Sequence, residues 1–204
     1  MRYGVRSVSM DDIARDLGVS KKTLYQHYDS KTSILEAGLQ LDRENELKMI
    51  GKLIDAGDDA IEAMLMIAQF IGDQLRDINP TAMYDVQKYY RPLWDRELLS
   101  RREFIRQSVE NNLKRGLSEK LYRNDIDPFI LSRLYVGKTF SLIDPELFPP
   151  SQFRFYDLYG EFIRHHLFGV VSSKGRKVLR TRLQDDLSAK VKDIVGECQF
   201  PDLA

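Results

Sequence analysis

Seven consecutive residues, Lys21-Lys22-Thr23-Leu24-Tyr25-Gln26-His27, carry two ammonium groups, a hydroxyl beside a methyl, a phenol, a carboxamide and an imidazole. That set suits a polyanion with readable edges. Ammonium and hydroxyl groups bond phosphate oxygens, a carboxamide or hydroxyl pairs with base edges, and a methyl touches thymine. Lys31 adds a cation at the start of the next helix, where free backbone N–H groups also favour a phosphate oxygen. Over residues 1–31, six cations (Arg2, Arg6, Arg15, Lys21, Lys22, Lys31) face four acids (Asp11, Asp12, Asp16, Asp29). The whole chain has 31 Lys+Arg against 31 Asp+Glu in 204 residues. Its neutrality is an average; the placement of charge decides what an anionic partner meets.

Those side chains need two short helices set at an angle. Ser9 is placed to cap the first, with Asp12 three residues on as its capping-box partner. Ile13, Ala14 and Leu17 form its apolar stripe, and Gly18 ends it at a turn that needs positive φ. Val19 is expected to plug the corner. Ser20 caps the second helix, whose Leu24 and Tyr28 are four apart and face inward. The pattern is a helix-turn-helix, in which the second helix offers its N-terminal residues to the major groove of DNA.

The runs Arg2-Tyr3-Gly4-Val5-Arg6-Ser7-Val8-Ser9-Met10-Asp11-Asp12-Ile13-Ala14 and Gly18-Val19-Ser20-Lys21-Lys22-Thr23-Leu24-Tyr25-Gln26-His27-Tyr28-Asp29-Ser30-Lys31 together resemble the TetR-type transcriptional regulators. The close motif match covers about the first 45 residues. That family normally begins with one further helix, and this chain is expected to lack it. The resemblance implies that Lys22 and Thr23 read base edges, that Tyr25, His27 and Lys31 contact phosphates, and that Lys21 and Gln26 serve either task. Ser7 and Ser9 would touch the DNA backbone at the start of the preceding helix. It further implies a DNA-binding domain over 1–46 and a helical ligand-binding and dimerisation domain over 47–204. The implied activity is that of a repressor: a homodimer on a double-stranded palindromic operator, with half-sites roughly 34 Å apart, released by a small apolar or amphipathic effector. The alternative is a helical ligand-binding or scaffold protein that has lost DNA binding, in line with the missing helix.

The rest of the chain reads as all-α. Apolar residues recur at helical steps in Ile61, Met64, Leu65, Ala68 and Ile71, in Ile105, Val109 and Leu113, and in Tyr159, Ile163, Leu167 and Val170. A further set, Leu179, Leu183, Leu187, Val191 and Ile194, predicts a last helix. Asn79-Pro80 and Asp127-Pro128 mark helix starts, as do Ser30, Asp58 and Ser151. Gly116 is expected to stop a long helix that begins near Pro92. Helices are expected over about 30–53, 128–143 and 151–173. In the family the first of these connects the DNA unit to the body.

Met64, Phe70, Tyr84, Tyr89, Tyr90, Trp94 and Phe104 are candidate effector contacts, the tyrosine hydroxyls fixing an otherwise apolar ligand. Ordinary core packing is the competing account. The resemblance places the dimer surface on the helices near 128–143 and 151–173. Phe129, Tyr135, Gly137 and Phe140 on the first, and Phe155, Tyr159, Phe162, His166 and Val170 on the second, would form it, against simple burial within one subunit.

Nothing in the sequence supports an enzyme, a cofactor or a metal. No HExxH, P-loop or GxGxxG motif occurs. The neighbours His165 and His166 point about 100° apart on a helix and cannot chelate together. The single Cys198 excludes an intrachain disulfide. With no long apolar run, no membrane span is expected, and a cytoplasmic location is the expectation.

Overall fold

The computed structural model describes residues 5–77, 80–149 and 151–183. Among them stand a 3-10 turn, Val5–Ser7, and nine α-helices: α1 (Met10–Asp16), α2 (Lys21–His27), α3 (Lys31–Ala56), α4 (Ala60–Asp77), α5 (Pro80–Tyr89), α6 (Arg91–Ser118), α7 (Pro128–Ser141), α8 (Phe155–Val170) and α9 (Ser173–Arg182). The only extended pairing among the described residues is one antiparallel bridge between Tyr122 and Val171. The fold is all-α, as the periodicity predicts.

Several boundaries follow the sequence and several correct it. Asp127 caps α7 with its carboxylate on the N–H groups of Phe129 (2.8 Å) and Ile130 (3.2 Å). Ser30 accepts from Ser33 N–H at the start of α3. At α4 the cap is Asp59, not Asp58: Asp59 Oδ1 accepts from Ile61 and Glu62 N–H at 2.9 and 2.8 Å. Asp58 instead donates its N–H to Glu62 Oε2. Ser151 caps nothing, since the chain turns through 151–154 and α8 begins only at Phe155. Asn79 and the expected helical positions Leu187, Val191 and Ile194, with Cys198, lie outside the described residues.

Gly116 is not the stop of α6. The helix runs two residues past it, and the left-handed position falls on Lys120, with φ 59°. Lys120 N–H donates to Leu117 O at 3.0 Å and Leu121 N–H to Gly116 O at 2.9 Å, the two bonds of a Schellman motif. Glycine stands at 116 for a steric reason instead. A Cβ there would lie 2.2 Å from the ring of Tyr122, which folds back over the helix end.

The described residues divide into two compact units. One holds 5–48 and 80–100; the other holds 49–77 and 101–183. In the first, Val5, Ala14, Leu24, Val86 and Leu93 are buried, and polar clamps add to them. Arg6 N–H donates to the buried carboxylate of Asp85 at 3.0 Å, and its guanidinium lies 4.8 Å over the Tyr89 ring while bonding its hydroxyl at 3.1 Å. Arg43 binds Glu97 at 2.6 Å, with both side chains largely covered.

The second unit carries the larger core. α4 packs on α8 and α9, and α7 on α8. Ile61, Met64, Val109, Leu113, Tyr135, Phe162, Ile163, Leu167 and Leu179 meet in one cluster. Arg115 completes the end of α3, donating to the carbonyls of Ile54 (3.2 Å) and Gly57 (2.8 Å), groups that no intrahelical partner can reach. Tyr122 hydroxyl bonds Asn112 Oδ1 at 2.9 Å; its burial pushes the phenol far above its ordinary range.

Of the residues expected at a dimer surface, Tyr135, Tyr159, Phe162 and Val170 are buried in the chain's own core. Phe140 and Phe155 are half-buried. The exposed apolar surface of α7 consists of Phe129, Ile130 and Leu134, each more than half exposed, with the open Gly137 beside them.

Candidate nucleic-acid interface

α1 and α2 are held at their angle by a few local interactions. Ser9 and Asp12 form a complete capping box: Asp12 N–H donates to Ser9 Oγ at 3.2 Å, and Ser9 N–H to Asp12 Oδ2 at 3.0 Å. Ser9 Oγ also donates to the same carboxylate at 2.6 Å. These bonds hold the Asp12 carboxyl below its usual pKa, with Arg15 adding a smaller effect. Gly18 takes φ +65°, and Val19 N–H closes the turn onto Ala14 O at 3.0 Å. Ser20 then caps α2 by accepting from Thr23 N–H at 3.0 Å.

Ala14 on α1 and Leu24 on α2 are buried. Leu17 and Val19 are not. Leu17 is 62% exposed and Val19 39%. α1 ends at Asp16, so Leu17 is its C-cap and leaves the apolar stripe that Ile13 and Ala14 begin. Tyr28, at the C-cap of α2, is half-buried.

Lys21, Lys22, Thr23, Tyr25, Gln26 and His27 are all exposed. They differ in what they already touch. Lys21 pairs with Asp11 of α1 at 2.7 Å, and that hydrogen bond raises its pKa. The Thr23 hydroxyl is 2.7 Å from Ser20 Oγ, so its methyl is the group most free for an outside contact. Lys22, Tyr25, Gln26 and His27 have no hydrogen-bond or ion partner among the described residues. Four unengaged groups on one turn and a half of helix make a surface open to a ligand rather than one closed on itself.

Lys31 is placed otherwise than at the outer surface alone. Its ammonium donates to the carbonyls of Arg6 (3.2 Å) and Val8, tying the first turn of α3 to the segment before α1. Ser7 and Ser9 lie on that same segment, both exposed. Arg6 is the residue sequence reasoning missed. Its partners Asp85 and Tyr89 lie 79 and 83 positions away, and no local spacing signals them.

The candidate effector contacts are spread over both units. Met64 and Phe70 are buried and Phe104 half-buried in the second unit. Tyr84 and Tyr89 are exposed, and Tyr90 and Trp94 half-buried, in the first. The second unit contains a half-open cavity of about 430 Å³ between α4, α8 and α9, walled by Leu65, Ile163, Phe168 and Leu179, with Gln69, Asp157, Glu161 and Arg164 as polar groups. None of the seven aromatic and methionine candidates lines it. Its walls come from positions whose apolar spacing reads simply as core.

Comparison with known proteins finds likenesses of the N-terminal segment and of the fold. Residues 1–37 match the family model of bacterial regulatory proteins, tetR family. Over 145 residues the chain is 28% identical to an uncharacterized HTH-type transcriptional regulator, YvaF, of Bacillus subtilis (strain 168), covering 69% of this chain and 73% of that one. A transcriptional regulator from Cytophaga hutchinsonii has a similar fold, with TM-score 0.65, 16% identity and coverage of 83% of this chain and 91% of that chain. SmeT, the repressor of the Stenotrophomonas maltophilia multidrug efflux pump SmeDEF, matches with TM-score 0.62, 15% identity and 84% coverage of each.

Proposed function

We propose that this chain, whose residues 1–37 match the TetR-family model, is a transcriptional regulator of that family: a dimeric, effector-released repressor of a palindromic operator. The observation that carries the proposal is the outer face of α2. Lys22, Tyr25, Gln26 and His27 stand exposed and unengaged on a helix whose base is fixed by Ser20, Gly18 and Leu24. Lys22 and the Thr23 methyl read base edges. Tyr25 and His27 contact phosphates, Gln26 serves either task, and Lys21 can exchange Asp11 for a phosphate oxygen. Ser7, Ser9 and Lys31 bind the DNA backbone, Lys31 through the donor left after its two carbonyl bonds.

The dimer forms through α7 and α8. Support for this reading is the exposed apolar strip of Phe129, Ile130, Leu134 and Gly137, with Arg133 stacked on the Phe129 ring, a face that a monomer leaves exposed at a cost. Two-fold pairing is also what a palindromic site demands. The effector is a small apolar or amphipathic molecule, and the 430 Å³ cavity between α4, α8 and α9 has the size for one.

Selection of bound duplexes from a random pool tests the reading. A palindromic consensus with half-sites about one helical turn apart is expected. Lys22→Ala should change the preferred sequence, whereas Tyr25→Phe should weaken all sites alike. No enrichment at low salt would overturn the proposal.

A further inference from the structure

Cations in the second unit are mostly matched by acids. Arg106 binds Glu103 and Glu110, Lys114 binds Glu110, Arg115 binds Glu119, and Arg182 reaches Asp58, Asp59 and Glu62. Other cations lack such a partner, Arg102 and Arg133 stacking on the Phe140 and Phe129 rings instead, and four gather on one surface. Lys120, Arg176, Lys177 and Arg180 are exposed, line one groove of about 1060 Å³, and have no acidic partner among the described residues. Arg123 joins them, with Asp125 the single acid in the groove, 3.3 Å from its guanidinium. Among the described residues, no acid is spent on these four groups. Four like charges facing one concavity repel each other until an anion enters.

The groove is also held in shape by backbone. Arg123 N–H donates to Val170 O at 2.9 Å, Ser172 N–H to Leu121 O at 2.8 Å, and Ser172 Oγ to Lys120 O at 2.9 Å. Gly175 brings α9 so close that a Cβ would lie 1.9 Å from Leu121 O. The left-handed Lys120 turns the chain at the rim. The cations from 120–123 and from α9 therefore stand on two segments pinned together, so the spacing of their backbones is set before a ligand arrives.

We propose that this groove binds a small ligand bearing two or more phosphate groups. Guanidinium forks and ammonium groups are the donors that phosphate oxygens take, Arg176 and Arg180 in bidentate fashion and Lys120 and Lys177 as point charges. Four unpaired cations call for several negative charges on one molecule. Leu117 and Val171 add an apolar part to the lining, against which a ring or chain of the ligand packs. The concavity favours a free molecule over a duplex, whose backbone is convex. The inference stands apart from the DNA reading, since it uses no residue of α1, α2 or the α7 face.

Calorimetric titration of the full chain with inorganic tripolyphosphate and, in a second arm, with a 20-base-pair duplex of random sequence tests it. Tripolyphosphate is expected to bind the unaltered protein and Lys22→Ala equally. The triple variant R176Q/K177Q/R180Q should lose at least tenfold in affinity, with its helical circular dichroism retained. Should that variant misfold, Arg176→Lys with Arg180→Lys keeps the charge and removes the forks, and an intermediate loss is expected. Failure of tripolyphosphate to bind, or binding indifferent to the α9 substitutions, overturns the proposal. So does a result in which only the duplex depends on them, because the surface would then be a second DNA contact.

Discussion

His166 offers the sharpest quantitative test of the packing between α7 and α8. Its ring lies edge-on to Tyr135 with centroids 4.8 Å apart, and its Nε2 is covered by protein with no hydrogen-bond partner. Burial disfavours the imidazolium, and the cations of Lys138 on α7 and His165 beside it add to the effect. Together they push the His166 pKa from 6.5 down to about 4. In the unfolded chain the ring protonates near 6.5; in the folded chain it stays neutral until about 4. Between those values the unfolded state binds more protons, so stability falls as pH is lowered through that window and levels off below it. The full loss is about 3 kcal/mol, of which roughly 2.5 kcal/mol is reached at pH 4.5.

Urea unfolding of the native sequence and of His166→Leu at pH 7.5, 6.0, 5.0 and 4.5 measures this as a difference of differences. The carboxylates with lowered pKa, Glu103 at about 2 among them, titrate in both proteins and cancel. The chain has three histidines, so the proton spectrum has three imidazole signals to follow. The one missing from His166→Leu should titrate near pH 4. Superimposable pH profiles for the two proteins, or a His166 signal titrating between 6 and 7, would refute the burial argument.

The backbone at the end of α6 and the start of α9 gives two more predictions. Lys120→Gly should stabilise by about 1 kcal/mol, because it relieves the left-handed strain at φ 59° and keeps the Schellman bonds; thermal unfolding reads this directly. Gly175→Ala should cost more than about 2 kcal/mol, since its Cβ meets a backbone carbonyl that cannot rotate aside. Protection of the α9 amides from hydrogen exchange should fall with it. Lys31→Ala should lower stability by about 1 kcal/mol, through two lost bonds to the Arg6 and Val8 carbonyls, in addition to weakening every operator alike. If DNA affinity fell with no change in unfolding midpoint, the carbonyl ties would contribute nothing.

What the sequence could reveal was set by the range of the interactions involved. The Ser9–Asp12 box, the Gly18 turn, the Ser20 cap and the inward Leu24 each depend on residues within four positions, and each stands where local chemistry puts it. Leu17 failed for a reason just as local: the stripe i, i+1, i+4 from Ile13 presumes one more helical residue than α1 has. Gly116 shows a different limit. Glycine near a helix end has two physical meanings, positive φ or close approach, and only the Tyr122 ring decides for the second. Aromatic residues at helical spacing are ambiguous in the same way. Tyr135 and Phe162 went to the core, while Tyr89 went to a clamp on Arg6, 83 residues away.

The groove on α9 lies at the far end of that scale. Lys174, Arg176, Lys177, Arg180 and Arg182 stand within the ten residues of α9, yet the structure sorts them into different fates. Lys174 donates to Glu119 O, Arg182 turns to the acids at the start of α4, and the other three meet Lys120 at an unpaired face. A run of cations in sequence reads as a solvated surface. It becomes a binding surface only when the fold removes the counter-charges from three of them and fixes the segment opposite. The same reasoning separates Lys21 from Lys22. They are neighbours of the same type, and Asp11 neutralises one while the other keeps its charge for a partner outside the chain. In both places the charge free to bind is what remains after the protein's own pairing, and that remainder is a property of the fold.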